Sequence, residues 1–385
     1  MGVLICAFNC STKIVPQKNH FDFFGFWCKI ELIPLTLTLK EVIKISRSSF
    51  VTIKDIAEKA GVSVNTVSRA LNDKPDINPQ TKEKIEKIAQ ELGYVKNIYA
   101  TMLKSNVTHT IGVIMPDSSN PFFSEVFKGI DKAARENNYQ IIIMNSEGLY
   151  ENEEKFLKTL LERRVDGILL FPMQKSYEDI QELIKEHFPI VLVGREIEDG
   201  WNVDEIFSDE VKGGYLATKY LIEKGCKKIK MITDQLYNSA SYGRLQGYKK
   251  ALKEKGVAFS EDDIKICEGI HEGYHVKAGY DKTIEMIRKK EEFDGIFCYN
   301  DLIAYGAIKA LKENNLKVPQ NVSVVGYDDI AFSRLIDPEL TTVKVKKFEM
   351  GYEAFQMLYK RIKSKKRDNS STRKVLDIEL VVRKS

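Results

Sequence analysis

The chain has 385 residues, 43% of them hydrophobic and 30% charged, a soluble globular composition with length for two or three domains. The net charge of +4 neither demands nor rejects a nucleic acid, but its excess is N-terminal: residues 1–50 hold 6 basic and 3 acidic side chains, and residues 51–106 hold 9 and 7. No apolar run is long enough to span a bilayer, the six scattered cysteines form no C-x-x-C pair and read as reduced thiols, and MGVLICAFNC lacks the marks of a signal peptide, so a cytoplasmic protein without a membrane partner is expected.

Residues 1–50 mix aromatics (FDFFGFWCKIEL) with a β-branched stretch (LTLTLKEVIKI) and show no sustained period. They are expected to be an N-terminal extension, either poorly ordered or upstream sequence translated from a start placed too early. An accessory element that docks its aromatics on the body is the alternative.

Residues 51–96 carry denser signals. Thr52 can cap a helix whose third residue is Asp55, a variant of the capping box, and Ile53, Ile56, Ala57 and Ala60 follow at helical spacing. Gly61 stops that helix, and Ser63 can cap a second one with Val67, Ala70 and Leu71 facing inward. Asn78-Pro79 starts a third, striped by Ile85, Ile88, Ala89 and Leu92 and ended by Gly93. Two short helices across a tight turn, braced by a third, fit a helix-turn-helix, whose second helix presents its N-terminal part to the major groove. Here that part offers Val64, Asn65, Thr66, Ser68 and Arg69, side chains able to read guanine, adenine and a thymine methyl. A small helical domain that binds protein fits the same periodicity.

After residue 107, short Val/Ile-rich runs (TIGVIMP, YQIIIMN, VDGILLFP, FPIVLVGR, CKKIKMIT, FDGIFCYN, VSVVGYD) alternate with amphipathic helical stretches. This pattern predicts an α/β body with parallel sheets flanked by helices and ligands at the C-terminal strand ends. Asp117, Asn120, Arg195, Asn300, Asp301, Asp328 and Asp329 gather at those ends.

The wording VTIKDIAEKAGVSVNTVSRALN, followed by TKEKIEKIAQELGY, closely resembles the headpiece of lac-repressor (LacI/GalR) family regulators, and the resemblance runs over nearly all of residues 51–385. It implies a small all-α headpiece at 51–96, a hinge helix and linker at 97–107, and a two-lobed periplasmic-binding-protein-like domain at 108–385 for effector binding and dimerisation. By position it makes Val64, Asn65 and Arg69 the base readers, with Thr52, Ser63, Thr66, Ser68 and Asn72 as further DNA contacts and Leu103 as a minor-groove wedge. Lys96 and Thr101 depart from the hinge's common proline and arginine. In the cleft it implies Asp117, Asn120, Phe122, Arg195, Phe207, Arg244, Tyr274, Asn300, Asp301 and Asp328 as effector ligands, Arg195 substituting for an acidic residue often found where this chain has Gly194. The implied protein is a transcriptional repressor of carbohydrate-utilisation genes, acting as a homodimer, with a tetramer as the alternative, on double-stranded operator DNA. Its effector would be a sugar or sugar phosphate.

One motif points elsewhere. HEGYH at 271–275 fits the zinc-protease pattern H-E-x-x-H, which needs both histidines on one helix face. Here DIKICEGI reads as a strand running into the motif, Gly273 interrupts it, and no third ligand stands at a suitable spacing. A cleft loop is expected instead, with no metal, no cofactor and no enzyme. A zinc hydrolase and a pure solute-binding protein are the competing readings; the latter shares the body but has an export signal and no headpiece.

Overall fold

A computed structural model describes residues 51–94, 107–173, 177–197, 201–267, 274–364 and 370–385. Leu103, Lys96, Thr101, the first fifty residues and His271-Glu272-Gly273 lie outside them. The chain divides into two compact units, Met1–Lys96 and Asn97–Ser385.

In the first unit, three helices form where their caps put them. The first, α1, spans Ile53–Ala60; the Thr52 backbone N–H donates to the Asp55 carboxylate at 2.7 Å, which holds the Asp55 pKa below its ordinary value. Gly61 takes the left-handed conformation (φ 68°) and ends it. Helix α2, Val64–Ala70, starts with the Thr66 N–H donating to Ser63 Oγ at 3.1 Å, and α3, Pro79–Glu91, with the Gln80 N–H donating to Asn78 Oδ1 at 2.9 Å. Their buried faces meet in one core of Ile56, Ala57, Ala60, Val67, Ala70, Ile85, Ile88 and Ala89.

The second unit holds two six-stranded sheets. One runs β11-β5-β4-β3-β1-β2, where β1 is Thr110–Met115, β2 Gln140–Asn145, β3 Gly167–Leu170, β4 Ile190–Val193, β5 Asp204–Ser208 and β11 Arg373–Leu376. The other runs β12-β10-β9-β8-β6-β7, where β6 is Ile229–Thr233, β7 Ile264–Ile266, β8 Gly295–Cys298, β9 Ser323–Asp328, β10 Thr341–Lys344 and β12 Glu379–Val381. Among the described residues only β12 pairs antiparallel. Strands β3, β4 and β8 are buried throughout, because helices cover both faces of each sheet and leave no side for water.

The first sheet carries α4 (Pro121–Glu136) and α11 (Lys347–Lys363) on one face and α5 (Tyr150–Glu162) and α6 (Glu178–Lys185) on the other. The second carries α7 (Glu210–Glu223) and α8 (Ser239–Lys255) on one face and α9 (His275–Arg288) and α10 (Asp301–Glu313) on the other. Three of these pairs share one device. A Cβ on Gly129 would overlap the Phe348 carbonyl and one on Gly351 the Val126 carbonyl, so α4 and α11 meet backbone to backbone. Gly214 and Gly247 do the same for α7 and α8, as do Gly279 and Gly306 for α9 and α10. The chain passes between lobes three times, after β5, after β10 and between β11 and β12.

Cys226, Cys267 and Cys298 are free, buried thiols within these cores. No helix among the described residues is long and apolar enough to cross a membrane.

Candidate effector cleft and nucleic-acid interface

On the headpiece, Val64 and Asn65 are exposed, and Thr66, Ser68 and Arg69 are partly exposed. Ser63 and Thr66 spend their hydroxyls on each other at 2.9 Å, and Asn72 Nδ2 donates to the Ser68 carbonyl at 2.7 Å. Thr52 is likewise tied into its cap. Arg69 is held by a carboxylate seven positions further along the chain: its Nε donates to Asp76 Oδ2 at 2.9 Å, and its Nη2 lies 2.6 Å from Asp76 Oδ1.

In the second unit a cleft of about 820 Å³, solvent at its mouth included, lies between the lobes at the C-terminal strand ends. One wall begins where β1 gives way to Asp117. Its Oδ1 accepts from the Ser119 N–H at 2.9 Å and from the Ser119 hydroxyl at 2.6 Å. Asn120 caps α4 by accepting the Phe122 N–H at 3.0 Å, which brings Phe122 and Phe123 to the cleft. Phe123 stands edge-on to Phe171, so this wall is an aromatic surface. Gly194 (φ 76°) turns the chain sharply after β4, and Arg195 follows it into the cleft with Nη1 buried and no acceptor among the described residues.

The opposite wall centres on Arg244, 5% exposed near the start of α8. Its Nε donates to Glu210 Oε2 at 2.6 Å and its Nη1 to the Tyr299 carbonyl, while the guanidinium lies 3.6 Å from the Tyr327 ring centre and 4.4 Å from that of Tyr299. Burial opposes its charge, but Glu210 and the two tyrosines outweigh burial and hold its pKa above the ordinary arginine value. Asn300 Oδ1 accepts from the Ile303 N–H at 2.9 Å, and its Nδ2 lies 3.1 Å from His275 Nδ1. Asp328 ends β9 in a strained conformation (φ 103°), and burial drives its carboxyl pKa well above the ordinary range. Lys347, which opens α11 on the first lobe, braces that turn from across the cleft: its buried ammonium donates to the Asp328 and Asp329 carbonyls and lies 3.4 Å from Glu125 of its own lobe.

Three residues expected in the cleft are placed elsewhere. Asp301 faces the core: its carboxylate accepts from the Ile330 N–H at 2.9 Å, the Ser333 hydroxyl at 2.6 Å and the Thr342 hydroxyl at 2.5 Å. Burial pushes its pKa up to about 6 against those three donors. Phe207 is buried in β5 under the Arg373 guanidinium, 5.1 Å from its ring centre. Tyr274 precedes α9 and is 54% exposed, while its neighbour His275 lines the cleft. Helix α9 begins at His275, the last residue of the HEGYH string, and the string's first three residues lie outside the described ones. Conversely, Glu210, Asp234, His275, Tyr299, Phe123 and Phe171 line the cleft without having been expected there. Asp234 follows β6 directly, so the strand-end rule that found Asn300 could have found it.

Two family profiles match this architecture. Residues 52–97 match bacterial regulatory proteins of the lacI family, and residues 108–381 match the periplasmic binding proteins and sugar binding domain of the LacI family. The chain belongs to the LacI family.

Relatives of this LacI-family chain include the HTH-type transcriptional repressor PurR of Vibrio atlanticus (strain LGP32), 38% identical over 82% of this chain and 92% of that protein. The HTH-type transcriptional regulator RegA of Clostridium saccharobutylicum is also 38% identical, over 87% of this chain and 98% of its own. Among solved structures, the lac repressor dimer bound to operator and the anti-inducer ONPF superposes with a TM-score of 0.75 at 25% identity, covering 87% and 98% of the two chains. The transcriptional regulator CelR in complex with cellobiose gives 0.66 at 28% identity, covering 87% and 99%.

Proposed function

We propose that this protein is a transcriptional repressor whose operator affinity is set by a small polyhydroxylated effector bound between the two lobes. The cleft carries this reading: an aromatic wall faces a polar wall of Arg244, Asn300 and Asp328, a pairing that suits the C–H face and the hydroxyls of a sugar. Arg195, Asp117 and Phe122 complete the proposed ligand set from the other lobe, and Asn120 positions Phe122 by capping its helix. Its membership in a family with repressors and a cellobiose complex among its relatives supports the same reading.

On the DNA side, Val64, Asn65 and Arg69 read bases, and Ser68 lies beside them for further contact. The protein acts in the cytoplasm as a homodimer, since one recognition helix covers a half-site and a lac repressor neighbour is a dimer on its operator. It performs no catalysis. The experiment is selection of bound sequences from a random duplex library by the full chain, followed by affinity measurement with and without a sugar panel. Enriched two-fold-symmetric sites whose affinity responds to a sugar are expected. Enrichment of no sequence would sink the regulator reading, and a site indifferent to every cleft ligand would sink its effector control.

A further inference from the structure

The charge inside the cleft separates the two effector types that the family resemblance leaves open. Four carboxyl groups line it (Asp117, Glu210, Asp234 and Asp328), of which burial favours the neutral form of Asp328, leaving three carboxylates against two guanidiniums, Arg195 and Arg244. Arg244, the side chain best suited to hold an anion, is already engaged, because Glu210 accepts from its Nε at 2.6 Å. The Asp234 and Asp117 carboxylates are held by neutral groups. Asp234 accepts from the Gln235 N–H at 2.7 Å and from Asn238 Nδ2 at 3.1 Å, and Asp117 accepts from Ser119. His275 meets a neutral amide: Asn300 Oδ1 takes the Ile303 N–H, which leaves Asn300 Nδ2 facing His275 Nδ1 at 3.1 Å.

Resting on the reading of this cleft as the effector site, we propose that it takes a neutral polyhydroxylated ligand and rejects the phosphorylated form, with Glu210 as the specificity residue that cancels Arg244 toward anions. A hydroxyl both donates and accepts, so a sugar can serve the carboxylates and the buried Arg195 Nη1 together. A phosphate only accepts at neutral pH, and it would bring up to two negative charges into a site already in acidic excess, where partial desolvation strengthens the repulsion. Glu210 opens helix α7, 34 positions from Arg244 in sequence, so no local pattern announces the pair.

The test is calorimetric titration of the full chain with pentoses, hexoses and disaccharides, ribose and cellobiose included, each beside its phosphate ester, and with the purine base hypoxanthine. The parent is expected to bind at least one neutral sugar, with its phosphate ester weaker by about thirtyfold or more. Glu210→Gln keeps a partner for Arg244 but removes the charge; it should raise the affinity for the ester relative to that for the free sugar by about tenfold. Asp234→Asn, which leaves Arg244 untouched, should narrow the discrimination in the same direction, and it stands in should Glu210→Gln fail to fold. A parent that binds the ester as tightly as the free sugar overturns the proposal, as do folded variants with unchanged discrimination. Binding of hypoxanthine and of no sugar in either form is a different failure, that of the polyhydroxyl reading itself.

Discussion

Arg69 meets the DNA question with its guanidinium already occupied. The fork it makes with Asp76 uses two nitrogens on two carboxylate oxygens, the geometry in which guanine O6 and N7 would be read. Reading a base therefore means exchanging a carboxylate for it, and since both side chains are exposed the exchange costs little. Arg69→Ala is expected to weaken operator binding by about 1–3 kcal/mol and relax one base position per half-site. Asp76→Ala, which frees the fork and removes a negative charge beside the recognition helix, should tighten binding to all duplexes. Fluorescence anisotropy over an operator library checks both, and unchanged base preference in the arginine variant would strike Arg69 from the readers. A second pair of side chains stores its effect in the body. Glu153, 1% exposed on α5, accepts the Met173 N–H at 3.0 Å beside the cleft wall. Burial, reinforced by the neighbouring Asp179, pushes its pKa up to about 9, and burial raises that of Asp179 too. An acid whose folded pKa is raised binds its proton more tightly when folded. Its contribution is therefore full below the ordinary glutamate value of 4.5 and is lost as pH climbs toward about 9. Glu153→Gln should flatten the decline of stability across that window, most visibly at its alkaline end. Urea unfolding at several pH values measures it, and parallel curves for parent and variant would contradict the raised Glu153 pKa.

At the scale of elements, the glycine seams decide how closely the helices approach. Gly129→Ala puts a methyl where the Phe348 carbonyl lies, so α4 and α11 must separate or tilt, an overpacking expected to cost about 1–3 kcal/mol. Thermal melting of Gly129→Ala and Gly351→Ala should show both destabilised, with the double variant less than additive because the first opens the seam for the second. An unchanged melting temperature would mean that the seam yields freely. The same scale shows what was legible in the sequence. Every headpiece helix could be placed because its signals are local: Thr52 with Asp55, Gly61, Ser63, and Asn78 with Pro79 act within four residues of one another. The parallel sheets were legible from their continuous apolar runs, and the cleft from polar residues at strand ends. Side-chain direction at those ends was not. Asp301 stands next to Asn300, yet it turns inward because Gly326 leaves room for its carboxylate and Ser333 and Thr342 offer hydroxyls from 32 and 41 residues away. Tyr274 and His275 are adjacent too, and the start of α9 between them decides which one reaches the cleft.

For the whole molecule, an effector can shift operator affinity only by as much as its own affinity differs between DNA-competent and incompetent states. Arg244 touches both the cleft and, through Glu210, the first helix after a lobe crossing. Arg244→Ala is therefore expected to abolish the effector's influence while effector-free operator binding stays close to that of the parent. Operator titrations with and without sugar test this; joint loss of stability and of DNA binding would instead make Arg244 a structural bridge. The triple crossing bears on synthesis as well. Strands β11 and β12, the last two, form an edge of one sheet each, and α11 comes just before them. Until residues 373–381 have left the ribosome, β5 and β10 both present unpaired backbone, and neither lobe has its full set of strands. The headpiece, whose described core residues all precede residue 95, has no such wait. A growing chain thus holds a finished DNA-binding module well before it holds a finished receptor. The interval between the two is when its open sheet edges are exposed to chaperones, proteases and other nascent copies.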